Sequence, residues 1–280
     1  MSGARHVPRP AVRLTAEQEP FLAIRSLATN YASGYRIEPH HHPWHHFLYA
    51  ISGAMTVLTS DSSWMIPTGR AVFIPAASTH AIRMWGAVEM RTVYLAPAMT
   101  EFHNTTCRVV EVCPLLRELV LRAVDRVGLD SRAPRDARLI ALLEDEIGDA
   151  MAAPAYSLML PMPHDERALA AARCVLENPA MTGTVNDLAK LHALARRTLE
   201  RRFREETGLS FGMWRQKARL LDSIRLLAEG TSVTATALDS GYSSVSAFVS
   251  AFRATFGYTP GRIQTETKIL ADVANFAIDL

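Results

Sequence analysis

One pattern in the C-terminal third of the chain occurs twice. Residues 187–208 and 236–257 align without a gap, 49 positions apart. Self-similarity at a fixed offset indicates one supersecondary unit that is used twice. Each copy predicts a short helix, a tight connection and a second helix ending at a glycine, which is the order of a helix-turn-helix. The aligned pairs are Leu199 with Phe248, Phe203 with Phe252, Arg204 with Arg253 and Gly208 with Gly257.

Helical periodicity assigns the same buried face to both copies. Side chains three and four positions apart share one face of a helix, which places Leu199 and Phe203 together in the first copy. Arginines occupy the opposite face of that helix. The second copy has phenylalanines on the inner face, and serines and Arg253 on the outer face. Between the copies, residues 211–229 predict one long helix that has an apolar side and ends before Gly230.

Positive charge is concentrated in this region. The whole chain has 30 Lys and Arg against 28 Asp and Glu, a net charge of +2. Residues 181–264 hold 12 basic and 7 acidic residues, a net +5, so the remainder carries −3. Five arginines lie between Arg196 and Arg204. A charge run is usually only a solvated helix face. Here the repeated unit places it where phosphates and base edges would lie, which favours binding to double-stranded DNA.

The second copy carries the more specific signal, in the stretch ALDSGYSSVSAFVSAFRATFGYTPGRIQ. This stretch resembles the signature of the AraC/XylS family of bacterial transcription regulators. The first copy departs from the family pattern, because Ala193 and Ala195 stand where a glycine and a capping serine are usual. The residues in register with the signature are Gly241, Tyr242, Ser244, Phe248, Phe252, Phe256, Gly257 and Pro260.

The resemblance implies a set of DNA-contacting residues in the second helix of each copy. The family's base-reading positions fall on Arg197, Glu200 and Arg201, and arginine can pair bidentately with guanine. Arg204 and Arg253 are predicted phosphate contacts. The second copy offers valines and serines at the matching positions, so we expect it to be the weaker reader of sequence. The complete predicted set is Arg196, Arg197, Glu200, Arg201, Arg204, Ser244, Val245, Ser246, Val249, Ser250 and Arg253.

The N-terminal half has the pattern of a β-domain. From residue 21 to residue 97, short apolar segments such as FLYAIS and AVFIP are separated by Gly, Pro, Ser and Asp. Evenly spaced short strands are typical of an all-β sandwich or barrel. Residues 1–20 contain three prolines and predict a loose arm, and residues 270–280 form a tail without an assigned structure.

Histidines and glycines in this half follow a regular spacing. Gly34, His40, His42, His46 and Gly53 fit the pattern G-x5-H-x-H-x3-H-x6-G. A second pattern, G-x5-P-x4-H, follows. Together the two patterns resemble the two motifs of the cupin superfamily, whose fold is a small double-stranded β-helix barrel. Metal-binding cupins have Glu or Gln where this chain has His46. The second pattern comprises Gly69, Pro75 and His80.

The spacing predicts that His40, His42, His46 and His80 converge in the barrel. His40 and His42 are expected on one side of a strand, because side chains alternate with period two. Neutral imidazoles suit Zn, Ni, Fe or Cu, so one divalent transition metal is the predicted cofactor. Two alternatives stay open. The histidines could hydrogen-bond an organic ligand or each other without metal, or they could be packed and surface residues in a dense run.

Residues 98–163 are predicted to connect the two domains. Amphipathic helices at 113–127 and 135–151 either cover the barrel or form a homodimer interface. Residues 152–163, with three prolines, mark the domain boundary. The DNA-binding domain is then predicted at 164–269.

The predicted fold class is therefore α+β and multidomain, with a cupin-like β-barrel at 21–97, connecting helices and an all-α double helix-turn-helix domain. This architecture predicts a one-component transcription regulator whose DNA affinity or activity responds to a small molecule or metal in the cupin domain. RNA polymerase is a further expected partner. The alternative is a metal-dependent cupin enzyme. Non-haem iron sites use two histidines and a carboxylate, whereas the matched ligand positions here are all histidines, so no enzyme is expected.

The hydropathy of the chain indicates where in the cell the protein is expected. No apolar run reaches the ~20 residues that a membrane-spanning helix needs. The N-terminal residues MSGARHVPRP lack the apolar core of a signal peptide. We therefore expect a cytoplasmic protein without a membrane partner.

Overall fold

The computed structural model describes residues 21–97, 106–126, 128–153 and 158–265. Its N-terminal part is an antiparallel sheet and its C-terminal part is helical, which confirms the predicted α+β fold class. The predicted arm and the C-terminal tail lie outside the described residues. The strands are β1 (Leu22–Tyr31), β2 (Arg36–His40), β3 (His45–Leu58), β4 (Ser62–Pro67), β5 (Arg70–Ile74), β6 (His80–Leu95), β7 (Arg108–Glu111), β8 (Gly128–Asp130) and β9 (Met159–Pro161).

Two long strands, β3 and β6, organise the sheet. They pair with each other, and each also has two shorter neighbours. The first part of β3 pairs with β5 and the second part with β4, while β6 pairs first with β2 and then with β1. Apolar side chains from both halves of these strands, such as Leu48 and Met55, meet in one buried cluster. The sheet thus folds over an apolar interior, as the cupin-like prediction requires.

Two glycines predicted to end strands bend them instead. The segments on either side of Gly53 belong to one continuous strand, β3, and those on either side of Gly86 belong to β6. Their φ angles are +73° and +70°, a region that glycine tolerates and other residues rarely adopt. The register between β3 and β6 shifts on both sides of Ser52. This bulge bends the strands without reversing them, so the predicted separate strands were wrong here.

The sheet also extends beyond the predicted limit at residue 97. Strands β7, β8 and β9 come from the stretch predicted as a connection, and they pair with β5, β1 and β4. Strand β2 is likewise absent from the predicted set. These four strands are only three to five residues long, too short for periodicity to identify. Pairing with longer neighbours is what makes them strands.

Helices α1 (Pro114–Arg126) and α2 (Pro134–Ala152) cover the outer face of the first half of the sheet. Their apolar sides, including Leu116, Val120 and Leu143, pack in one cluster with sheet residues. β3 is therefore buried on both faces over this stretch. The sheet residues of that cluster include Ala23, Ile24, Phe47, Tyr49, Phe73, Val93 and Leu95.

The helical part contains both predicted helix-turn-helix units. The helices are α3 (Glu166–Glu177), α4 (Val185–Leu191), α5 (Arg196–Thr207), α6 (Phe211–Ala228), α7 (Val233–Asp239) and α8 (Val245–Phe256). α4–α5 and α7–α8 are the two units, and α6 joins them. Gly208 and Gly257 end α5 and α8 with φ near +72° and +80°. A further helical stretch runs from residue 260 to the end of the described range at 265. None of the described helices is long and apolar enough to cross a membrane.

The two units differ in how their second helices begin. The Ser244 hydroxyl accepts a hydrogen bond from the backbone N–H of Ala247 and caps α8. Ala195 at the same place before α5 makes no side-chain cap, and Ala193 has a φ of +53°. A missing serine cap costs about 1 kcal/mol. The turn of the first unit is therefore closed by backbone hydrogen bonds, such as that from the Leu194 N–H to the Ala189 carbonyl oxygen at 2.8 Å.

Helix α6 joins the two domains by packing against β3, β4 and β9. Trp214 of α6 is fully buried, and its indole N–H donates to the Pro161 carbonyl oxygen at 2.7 Å. One apolar cluster runs from the sheet through α6 to Phe203 and Phe252 of the helix-turn-helix units. The DNA-binding helices and the sheet therefore share a core.

We expect Gly53→Ala to lower the free energy of unfolding by about 2–5 kcal/mol, the sum of a left-handed backbone penalty and overpacking. An added Cβ would lie 2.6 Å from the Ala87 carbonyl oxygen. Gly34→Ala is the matched control, because Gly34 also has a positive φ but nothing lies within 4 Å of its Cβ position. Urea unfolding measures both variants. Equal losses in the two would contradict the close-approach explanation.

Candidate functional site

The two predicted recognition helices, α5 and α8, each have one buried face. Leu199 and Phe203 of α5 have no solvent exposure, and the Phe203 ring lies 5.1 Å from the Trp214 ring of α6. The phenylalanines of α8 are buried in the same way. Packing therefore leaves the predicted DNA-contacting side to solvent. Of the predicted set, Arg196, Arg197, Arg201, Arg204, Ser244, Ser246, Ser250 and Arg253 are exposed, and Glu200, Val245 and Val249 are partly exposed.

Two of the predicted DNA-contacting arginines on α5 form ion pairs within the helix. Arg196 lies 3.0 Å from Glu200, one turn further along, and Arg201 lies 3.0 Å from Glu205. All four side chains are about half exposed, so each pair contributes only about 0.3–0.5 kcal/mol. Binding a base with Arg201 requires this pair to open. Glu205 was absent from the predicted set, although its position four residues after an arginine is a signal that sequence alone contains.

The remaining arginines of this surface have different surroundings. Arg197, Arg204 and Arg253 are exposed and form no ion pair with another described residue, so their guanidinium groups are available to phosphates or bases. Arg202 instead lies 3.6 Å from both Asp165 and Glu206. It therefore connects α5 to the start of α3 and points away from the DNA-facing side.

The outer face of α8 has shorter polar groups. Ser246 and Ser250 are exposed, and each hydroxyl can make only single hydrogen bonds that do not distinguish bases strongly. The Ser244 hydroxyl accepts its cap hydrogen bond at 3.2 Å, so its proton and one lone pair remain for a phosphate or base. The chemistry of α8 suits contact with thymine methyl groups through its valines more than hydrogen-bonded readout.

Four histidines, His40, His42, His46 and His80, form a histidine cluster where β2, β3 and β6 meet. His40 and His80 are cross-strand partners, and their ring centroids are 4.4 Å apart. His46 lies on β3 and is 2% exposed. His42 lies after the end of β2, so the expected strand alternation with His40 was wrong. His42 reaches the cluster from the β2–β3 connection.

Backbone carbonyls set the tautomers of three of these rings. The Nδ1 atoms of His40, His42 and His80 each lie 2.9 Å from a backbone oxygen, that of Glu38, Trp44 and Ser78 respectively. A carbonyl oxygen only accepts, so each Nδ1 carries the proton and each neutral ring has a bare Nε2 lone pair. Carbonyl-oriented imidazoles of this kind are typical metal ligands.

The free nitrogens lie close enough to share one ion. One ligand atom from each of His40, His42 and His80 falls within 4.8 Å of the other two. His46 Nδ1 lies 3.1 Å from His42 Nε2 and 3.4 Å from His80 Nε2. Two nitrogens on one tetrahedral zinc ion are about 3.3 Å apart. The donor set of His40, His42 and His80 therefore fits a divalent transition metal, whereas His46, the fourth predicted ligand, is not a member of this group among the described residues.

Burial disfavours the charged form of three histidines of the cluster. Desolvation is the main reason that the pKa of His80 falls to about 4 and that the pKa of His46 falls well below its usual value. Burial also lowers the pKa of His42. The Tyr94 ring stacks on His46 at 4.6 Å, a contact that the sequence patterns do not indicate. Within the described part of the chain, neutral nitrogen ligands are therefore present together.

Two neighbouring groups stay outside this cluster. His45 turns away, because its Nδ1 accepts from the backbone N–H of Ala76 at 3.1 Å and its ring packs against Phe73. Among the described residues, the candidate metal-binding group contains no carboxylate. The Glu38 side chain lines a cavity between the domains instead.

Comparison with known proteins assigns both halves of the chain. The model of the AraC-like ligand binding domain matches residues 25–143, and that of the helix-turn-helix domain matches residues 188–266. Among solved structures, ToxT from Vibrio cholerae is 12% identical, with 87% of this chain and 98% of ToxT covered and a TM-score of 0.38. The DNA-binding domain of AdpA, solved with a target DNA, is 29% identical over 36% of this chain and 92% of that one, with a TM-score of 0.34.

Relatives with assigned roles are regulators. RipA of Corynebacterium glutamicum, an HTH-type transcriptional regulator, is 33% identical over 105 residues, which are 38% of this chain and 32% of RipA. The HTH-type transcriptional regulator NimR of Escherichia coli is 31% identical over 223 residues, which are 80% of this chain and 80% of NimR. The chain therefore belongs to the AraC family of transcriptional regulators, with an AraC-like ligand-binding domain ahead of a DNA-binding domain of two helix-turn-helix units.

Proposed function

We propose that a divalent transition metal in the histidine cluster tunes this regulator, and that α5 supplies most of its operator readout. The observation that carries the metal proposal is the orientation of three imidazoles by backbone carbonyls, which leaves Nε2 as the unprotonated nitrogen of each neutral ring. Lone pairs that face one another repel, and the single ring proton of His46 satisfies only one of them at a time. A cation would remove that repulsion.

The position of the histidine cluster supports a link to DNA binding. Pro39 and Ala81 flank His40 and His80 in the sequence, and both line the cavity between the sheet and helices α3 and α6. A bound metal would supply a positive charge that holds the ends of β2, β3 and β6 together. Loss of the metal would loosen a wall against which the DNA-binding domain packs.

The metal test uses the full-length protein loaded with zinc and freed of excess metal. We expect about one ion per chain by elemental analysis, as for a single closed site. His42→Ala and His80→Ala should each weaken binding by more than about tenfold, the least that even an outer partner of a metal site contributes. His45→Ala is the matched control and should keep the metal, because His45 faces Phe73 and Ala76.

Chelation then tests the link to DNA. Fluorescence anisotropy with DNA from upstream of the protein's own gene should show a change in affinity when EDTA is added to the wild type. The same addition should leave the His42→Ala/His80→Ala double variant unchanged. Metal retained by the double variant would refute the site, and an EDTA effect of equal size in both proteins would refute the link.

Sequence readout is proposed to depend on Arg197 and Arg201. We expect Arg201→Ala to lose about 1–3 kcal/mol of discrimination at one base pair. Arg204→Ala should weaken binding to all DNA sequences equally, and it should lower the slope of log affinity against log salt concentration by about 1. Glu205→Gln should tighten operator binding, because it removes the carboxylate that competes for Arg201. Competition binding against mutated operators measures all three variants, and unchanged base preference in Arg201→Ala would disprove its role.

The chemistry of the two recognition helices predicts an asymmetric operator. Because α5 offers arginines and α8 offers valines and serines, we expect one strict half and one tolerant half, about one DNA turn of ~10 bp apart. Selection of binding sites from random DNA, followed by sequencing, gives the information content at each position. Two equally informative halves would contradict the prediction.

We propose further that the chain is not an enzyme and acts in the cytoplasm, as relatives named as regulators suggest. A homodimer through α1 and α2 stays a prediction, supported by the exposed Leu115 and Leu142 on these helices. Contact with RNA polymerase also stays a prediction. The histidine-only donor set among the described residues gives no specific support to the alternative of a metal-dependent cupin enzyme.

A further inference from the structure

A cavity of about 500 Å³ lies between the sheet and the helical domain. Its walls come from β2, β3 and β6 on one side and from α3 and α6 on the other. Ligand-binding pockets commonly have volumes of about 300–1,000 Å³. None of the four histidines of the cluster lines this interdomain cavity. It is therefore a separate site that touches both domains.

Three arginines and three acidic residues line the interdomain cavity, and two of the arginines, Arg36 and Arg173, are exposed to solvent. Arg36 of β2 and Arg83 of β6 are direct cross-strand partners, and both line the cavity with Arg173 of α3. Like charges directly opposite each other destabilise a sheet. None of the three arginines forms an ion pair with another described residue. Burial first, and then the charge of Arg36, lowers the pKa of Arg83.

Acidic groups at the same cavity do not neutralise these arginines directly. Asp222 lies 2.7 Å from Arg225 and is held there. Glu38 and Glu177 are exposed, and neither lies within ion-pair distance of a described cation. Glu177 attracts Arg83 only at longer range. An anion from outside the chain would complete the missing contacts.

The guanidinium of Arg83 is also held in position. It lies 3.9 Å from the centre of the Trp85 ring, and the Trp85 indole N–H donates to the Thr56 hydroxyl at 2.8 Å. Stacking on a fixed ring orients the planar group, so less freedom is lost when it binds a carboxylate or sulfonate. The planar group is therefore presented to the cavity in a fixed orientation.

The rest of the cavity is mainly apolar, with residues from both domains. Side chains of β4 and β9 form one wall, and those of α3 and α6 form the other. Such a surface recognises a hydrocarbon or aromatic body through burial of apolar area. The apolar lining residues include Met65, Leu160, Met162, Leu169, Leu176 and Leu221.

We infer that the interdomain cavity binds an organic anion with an apolar body. Its anionic group contacts Arg36 and Arg83, and its body lies between the sheet and helices α3 and α6. A ligand in this place stabilises the docked arrangement of the two domains, because it loses contacts when they separate. The inference goes beyond the proposed regulation by metal and does not depend on the metal.

The test uses full-length protein and 1-anilinonaphthalene-8-sulfonate, a fluorescent probe with an aromatic body and one sulfonate. We expect saturable binding of about one probe per chain, with displacement by 2-naphthoate and not by uncharged 2-naphthalenemethanol. Arg36→Gln/Arg83→Gln should weaken probe binding roughly tenfold or more, because the substitution removes the charge-assisted hydrogen bonds to the sulfonate. Arg91→Gln is the matched control on the same strand, since Arg91 pairs with Glu89 outside the cavity.

A second variant tests the apolar part. Leu58→Trp places a larger side chain at the lining of the cavity. It should also weaken binding of the probe, although the arginines are unchanged. Undiminished binding by the double arginine variant, or equal displacement by the acid and the alcohol, would overturn the inference. Absence of saturable binding by the wild type would overturn it as well. Zinc loading and operator binding test the proposed function in separate experiments, so failure of the probe experiments would leave the proposed function standing.

Discussion

The packing of α6 against the sheet is the interaction on which the rest of the structure depends. Trp214 is buried where the sheet, α6 and α5 meet, and its hydrogen bond to Pro161 fixes its depth. Because one apolar core continues from the sheet to Phe203 and Phe252, the ligand-binding and DNA-binding parts are not independent bodies joined by a tether. Packed side chains connect the sheet to both recognition helices, which is the kind of contiguous network through which two sites can be coupled.

Polar contacts around this core fix the orientation of the two parts. Arg225 of α6 lies 4.8 Å from the Trp85 ring of β6, and Arg262 pairs with Glu111 of β7 at 3.2 Å. Each such contact is weak near water. Together they select one arrangement out of those that apolar burial alone would permit, just as the polar rim of a protein interface sets register. Apolar area supplies the stability and the rim supplies the geometry.

The helix-turn-helix units could be predicted from sequence because their signals are local. Each helix has its own periodicity and its own terminal glycine, such as Gly208 or Gly257. The strand boundaries were harder to predict, because a glycine such as Gly53 commonly marks a turn. Its role in a bulge depends on the pairing of β3 with β6. Histidine spacing identified the members of the cluster. It could not identify the carbonyls that orient the rings, since Trp44 and Ser78 contribute backbone atoms, which every residue has.

The pairing of Arg201 with Glu205 also bears on how the protein searches a chromosome. If Arg201 contacts a base as proposed, its guanidinium exchanges the carboxylate of Glu205 for the base edge only after the protein has met the DNA. Opening such a half-exposed pair costs only about 0.3–0.5 kcal/mol, roughly a factor of two in affinity. The pair therefore makes a small correction to how long the protein stays on a site, and it has little effect on how fast the protein arrives there.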